Sequence, residues 1–330
     1  MSYKRLDPED FLVSIDSVTA TAWSTNSPTL STFWTSSVTS TNDPYYKNVY
    51  QTGSAVSGSA VQFAIAYGNK QGSGSANYND LVPGVSPTRT VYGQYRNLIY
   101  GDENANFIFG TITASDFWAI NIDRARYKEH LLKGTFNIKL SGSYNLQLTD
   151  NSGMVSTDTY LDCGRVYQII SGSNGVAFSG TGYSASSGSY GLFLPDIATI
   201  ILNPLALSQS INLEPTRSSD INEDNIGNLF RAISGSSAAS FQLNSEETVT
   251  SDYVFVRSRN AEFNYSENPS FISGSTGDVL YSAFINSPQT YITTVGFYND
   301  TNDLLAVAKL SKPLLKDFTK ESLVRVKLDF

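Results

Sequence analysis

The run LVRVKLDF at positions 323–330 alternates strictly. Val324, Val326, Leu328 and Phe330 fall on one side of an extended chain, and Arg325, Lys327 and Asp329 on the other. Residues two apart share a face in a strand and not in a helix, so this segment predicts a half-buried β-strand. A strand of that kind needs a neighbour for its backbone and a second layer for its apolar face. Upstream, the apolar runs 291–298 and 304–310 are joined by Asn299, Asp300, Thr301, Asn302 and Asp303. Five turn-forming residues between two such runs predict a hairpin.

Shorter β-type runs occupy 107–109, 117–122, 134–140, 144–148, 165–170 and 198–202, parted by Gly, Ser, Asp and Asn. One helix is predicted near 226–233. The Gly- and Ser-rich stretch 171–191 reads as loop.

Toward the N-terminus the pattern changes. Asp43 followed by Pro44 has the form of an N-cap with proline at the first helical position, opening a helix over 45–50. A second apolar patch at 61–67 ends at Gly68, and a flexible loop follows at 72–75. Val91, Tyr95, Leu98 and Ile99 keep the i, i+4, i+7, i+8 spacing of one helical face, closed by Gly101. Before all of this, residues 11–18 alternate weakly. A Ser/Thr-dominated run carrying Trp23, Phe33 and Trp34 comes next. So polar a run cannot order itself; contact elsewhere in the chain or with a neighbouring chain is expected to order it. The domain reading is an extended arm (1–42), a small helical subdomain (43–106), a β-rich central domain (107–245) and a C-terminal β-module (246–330). The fold class is mainly β with a small helical subdomain, an α+β arrangement of antiparallel sheets or a sandwich ending in a β-hairpin module.

Composition narrows the function. Only 16% of the 330 residues are charged and the net charge is −8, which argues against a surface built for nucleic-acid phosphates. One cysteine excludes an intramolecular disulfide framework and multi-thiolate metal sites, and one histidine excludes His-pair metal centres. No cofactor is expected. No apolar run approaches the roughly 20 residues of a membrane span, and the polar start lacks a signal-peptide core, so a soluble protein made in a cytoplasm is expected.

The candidate chemistry is thin. His130 lies in a short charged segment, where a surface or hydrogen-bonding histidine is the default, and no Gly-x-Ser-x-Gly elbow can be placed around a nucleophile. Cys163 has only Arg165 near it to favour a thiolate. Gly180, Gly182 and Ala185 spell the dinucleotide fingerprint, but Ser-Ser-Gly-Ser follows instead of a helix start. Gly68 and Gly72 resemble a phosphate loop that lacks Gly-Lys-Ser/Thr, with Lys70 ahead of the second glycine. Paired carboxylates stay open as a route to glycoside hydrolysis, with Asp116, Asp158, Asp162, Glu246, Glu247 and Glu262 as possible members. Most of the chain's acids sit in turns, where solvated turn chemistry explains them.

The strings YITTVGFYND (291–300), LLAVAKLSKP (304–313) and LVRVKLDF (323–330) resemble a β-module of tail and baseplate structural proteins of tailed bacteriophages. FAIAYG (63–68), GSGS (72–75), PTRTVYGQYRNL (87–98) and SYGLFLPDI (189–197) are similar to virion proteins of contractile-tailed marine phages. Together these cover about half of the chain and carry no catalytic motif. The resemblance implies a non-enzymatic structural subunit of the virion, most plainly of the tail baseplate, assembled in the bacterial host cytoplasm. Its partners would be copies of itself or other virion proteins. Trp23, Phe33, Trp34 and Phe330 are the candidate interface residues. A receptor-binding or glycan-degrading tail protein, and a head or neck protein, are the alternatives.

Overall fold

The computed structural model describes residues 3–35, 45–53, 59–74, 85–217, 221–235, 239–266 and 268–329. It is mainly β, with antiparallel sheets and a small helical part. The chain divides into two compact units, one of residues 18–247 and one of residues 1–17 with 248–330.

Strand β1 (Phe11–Thr21) begins in the smaller unit and ends in the larger. The larger unit continues with β2 (Thr29–Leu30), β3 (Trp34–Thr35), β4 (Lys47–Tyr50) and β5 (Val61–Asn69). Helix α1 (Thr88–Tyr100) follows, then the short hairpin β6 (Phe107–Phe109) and β7 (Ile112–Ala114), and β8 (Asp116–Ile122). Next come β9 (His130–Leu131), β10 (Asn137–Ser141), β11 (Asn145–Asp150) and β12 (Thr159–Leu161). The long strand β13 (Gly164–Ser173) is followed by β14 (Val176–Ala177), β15 (Gly191–Leu194) and β16 (Thr199–Leu202). Helices α2 (Pro204–Ile211) and α3 (Asn222–Ser234) precede β17 (Phe241–Gln242) and β18 (Asn244–Ser258).

Thirteen of these strands form one sheet that curls into a half-barrel. Its order is β2-β17-β10-β11-β13-β15-β16-β8-β5-β4-β3, with β12 and β14 attached to β13. The central strands are buried on both faces, and their period of two sorts residues between two cores. Phe63, Ile65, Trp118, Ile120, Phe193 and Ile200 point to one core, which α2 and α3 cover. The Trp118 indole N–H donates to the Asn225 carbonyl at 2.8 Å, fastening α3 to β8. Ala66, Phe117, Ala119, Leu192 and Ile201 point to the other core, covered by α1 and the β6–β7 hairpin.

Helix α1 forms where predicted and ends at Gly101, whose φ of 61° is left-handed and whose N–H reaches the Asn97 carbonyl at 3.0 Å. Its buried stripe runs through Val91, Tyr92, Tyr95 and Ile99, whereas Leu98 is half exposed. The segments 45–50 and 61–67 are not helical. Lys47–Tyr50 is a strand, pairing Val49 with Phe63 of β5, and β5 is buried along almost its whole length. A continuous apolar run has no periodicity to tell a buried strand from a helix, and the sheet on either side decided the matter. Asp43 and Pro44 lie outside the described residues. Helix α2, absent from the elements predicted above, is capped by Asn203, whose side chain accepts from the Leu205 N–H at 3.1 Å, with Pro204 at its first position.

The smaller unit holds the first part of β1, the end of β18, helix α4 (Ser282–Asn286), β19 (Thr290–Tyr298), β20 (Leu304–Lys316) and β21 (Ser322–Asp329). Strands β1, β18 and β21 are neighbours in that order, while β19 and β20 make a separate two-stranded sheet. Val326 of β21 pairs with Val254 and Val324 with Val256, so the predicted alternation holds. On the outer face, Arg325 and Lys327 lie over the Tyr253 ring at 5.6 and 5.9 Å. Both are within cation–π range. The predicted hairpin is also present. Asn299 Oδ1 accepts from the Thr301 and Asp303 N–H groups at 3.0 and 2.7 Å and knits its turn.

Candidate functional site

The smaller unit has very little core. Among its described residues, Val254 and Val326 are the fully buried hydrophobic ones. Meanwhile Leu12, Val13, Ile15, Leu305, Val307 and Leu323 are each at least half exposed. One of its buried side chains is cationic. Lys316, at the end of β20, is 0% exposed, and its ammonium donates to Asn264 Oδ1 at 2.8 Å and to the Asn260 and Asp317 carbonyls at 3.0 Å. Three neutral oxygens around a desolvated ammonium tie the 260–264 turn to the base of the hairpin.

A groove of about 1320 Å³ opens in this unit. It is larger than the roughly 300–1,000 Å³ of small-molecule pockets. One wall is β19, and the opposite side includes Tyr3, Phe263, Tyr265, Phe271 and Phe284. The Tyr3 and Tyr298 rings meet edge to face at 5.3 Å across its end. Every residue from Gln289 to Asp300 borders the groove. The groove also borders Val307 of β20, Val256 and Ser258 of β18, and Ser322 and Val324 of β21. The lining mixes aromatic and aliphatic side chains with Ser, Thr, Asn and Gln, and Lys4, Arg5 and Asp300 are its charged members.

The predicted interface residues scatter. Trp23 is buried in the larger unit, its indole N–H donating to the Phe241 carbonyl at 2.8 Å and its ring packed on Phe63 and Phe241. Phe33 is half-buried against Phe63. Both are therefore used inside the chain, the first of the two kinds of contact expected to order this run. Trp34 is 53% exposed on β3, the last strand of the large sheet. Phe330 lies outside the described residues.

No family model, no curated protein and no solved structure matches the chain. Its chemistry is read from its own residues.

Five of the six candidate acids have a local partner. Asp116 accepts from the Tyr67 hydroxyl at 3.0 Å and from Arg217 Nε at 2.7 Å. Asp158 binds Lys133 through both oxygens at 2.8 and 2.9 Å, and that hydrogen bond first of all holds its carboxyl below the usual range. Glu246 lies 3.1 Å from Nε2 of His130, which faces it across the β9–β18 pair. Glu247 pairs with Lys128, and Glu262 with Lys4. The Asp162 carboxylate lies against Gly101 at the end of α1. Burial, with Asp196 and Asp162 nearby, pushes the Cys163 thiol up and away from the thiolate form.

The glycine motifs resolve into backbone geometry. Gly180 and Gly182 take left-handed turn conformations in a loop that no helix follows. Gly68 lies in β5 beneath α1, where a Cβ would stand 2.8 Å from the Phe117 ring and 3.0 Å from the Tyr92 nitrogen. Among the described residues no group of three or more His, Cys, Asp or Glu is placed to hold a metal ion, and no helix is long and apolar enough to cross a membrane. Sequence reasoning found the β19–β20 hairpin but not the groove beside it. The available signal was the composition of β19, which has neither charge nor proline.

Proposed function

We propose that the chain is a structural subunit of a tailed-bacteriophage virion, working in the tail baseplate through protein–protein interfaces. The observation that carries this reading is the smaller unit's shortage of core. An independent fold of that size buries an apolar interior of its own, whereas this unit turns its aliphatic and aromatic side chains outward and leaves strand edges open. Contiguous apolar surface and open strand edges mark places that another polypeptide covers. The resemblance of 291–300, 304–313 and 323–330 to phage tail modules supports the same station, because those strings make up β19, β20 and β21.

The test is immunogold labelling of purified tailed particles with antibody raised against the recombinant chain. Label at the distal end of the tail is the expected result. Label at the head–tail junction would move the subunit to the neck, and particles free of the chain would overturn the reading.

A receptor- or glycan-binding tail protein is the second reading, favoured by the tyrosines along the groove: Tyr3, Tyr265, Tyr291 and Tyr298. Aromatic faces stack on sugars. Hydrolysis would need two acids flanking the bond, and Asp300 is the carboxylate residue that borders the groove among the described residues.

A further inference from the structure

We propose that the smaller unit closes a covalent bond within itself, an amide between Nζ of Lys316 and Cγ of Asn264. The two side chains already touch, with Nζ 2.8 Å from Oδ1, and both are buried, at 0% and 3% exposure. The amide carbon is one bond beyond the oxygen that the nitrogen contacts. A small swing therefore brings the pair to the ~3–3.5 Å of a near-attack arrangement. Water, the competing nucleophile, is kept out by the same burial.

The surroundings favour reaction over the resting pair. As an ammonium, Lys316 is a full charge out of water, and its three acceptors are all neutral. Burying an ion with no counter-ion among its hydrogen-bond partners is costly, and conversion to an amide removes the charge. The Asn260 carbonyl accepts from Lys316 Nζ at 3.0 Å and from Asn264 Nδ2 at 2.6 Å. The attacking and the leaving nitrogen are thus held against one oxygen. Phe263, directly before Asn264, has a φ of 53°, a left-handed conformation that is strained for a bulky residue. Its carbonyl is held by the Thr290 hydroxyl, so the turn that presents Asn264 to the lysine is fixed from the start of β19.

The reaction balances with no further reactant. Lys316 gives one ammonium proton to solvent, and the lone pair of the resulting amine forms a bond to Cγ. The bond from Cγ to Nδ2 breaks, a second proton passes from Nζ to the leaving nitrogen, and ammonia departs. Nothing is oxidised or reduced. The product closes a loop of 52 residues between the 260–264 turn and the end of β20. Folds with little core use such staples, and a chain with one cysteine cannot form an internal disulfide.

The test is the mass of the full-length recombinant chain, kept folded at neutral pH for several days and then denatured. It should be lighter than its sequence by one ammonia. A tryptic digest should contain a branched peptide joining the segment of Asn264 to that of Lys316, uncut after Lys316. Lys316→Arg and Asn264→Ala should each have the mass of their sequence, and should run more slowly than wild type in a denaturing gel because the loop stays open. A wild-type chain at its full sequence mass would overturn the proposal. So would a loss of ammonia that persists in Lys316→Arg, the signature of a succinimide at an asparagine. The wild-type mass decides even where a variant fails to fold. None of these results touches the virion reading, which stands or falls on labelling of the particles.

Discussion

Asp196 shows how single residues set the pH response of the larger unit. Burial opposes its ionisation, but hydrogen bonds from the Arg165 side chain at 2.9 Å and backbone N–H at 2.7 Å outweigh it and hold the carboxyl below the usual range. A carboxyl whose pKa is lower in the folded chain contributes stability above its unfolded value, near ~3.9, and loses it as pH falls through the folded value. Asp196→Asn should therefore be less stable than wild type near neutral pH, with the gap closing below about pH 4. Urea denaturation across a pH series measures this, and a gap that stays constant with pH would refute it. The same scale shows why two tryptophans of one run end in different surroundings. Trp23 and Trp34 stand eleven residues apart in one Ser/Thr-rich run, and nothing local separates them. What separates them is distant chain. Phe63 and Phe241 close over Trp23, while β3 ends the sheet and leaves Trp34 bare. Deleting residues 1–42 would thus remove Trp23 and Leu30 from the core, and such a deletion reports on folding before it reports on assembly.

Elements were legible where the pattern was amphipathic, and of the almost wholly buried runs β8 and β16 were read as strands while β5 was not. Strand β21 announced itself because one face is wet, and helix α1 because its apolar stripe is followed by Gly101. Strand β5 gave no such sign, since both of its faces meet cores, and α2 was overlooked although Asn203 and Pro204 spell a helix start. The packing of α1 on β5 depends on one bare backbone position. Gly68→Ala would force the Tyr92 backbone and Phe117 ring aside and should cost about 1–3 kcal/mol, measured by urea denaturation of the larger unit. A variant as stable as wild type would mean that helix and strand have slack between them. The groove was invisible at this scale for a plain reason. Its lining comes from segments far apart in the chain, and periodicity records side chains, not neighbours.

For the whole molecule, the uneven distribution of core predicts uneven stability. The three tryptophans, Trp23, Trp34 and Trp118, all belong to the larger unit, so their fluorescence follows that unit alone, while far-ultraviolet circular dichroism follows both. On heating a dilute sample, part of the dichroism should be lost before the fluorescence changes, as the smaller unit melts first. Coincident transitions would show one cooperative block. The division of the chain also has a consequence for its synthesis. Residues 18–247 leave the ribosome as an uninterrupted stretch and can fold as soon as they emerge. Residues 1–17 cannot complete their own unit until 248–330 have been translated. Strand β19 is thus made after the whole sequence of the larger unit has been translated.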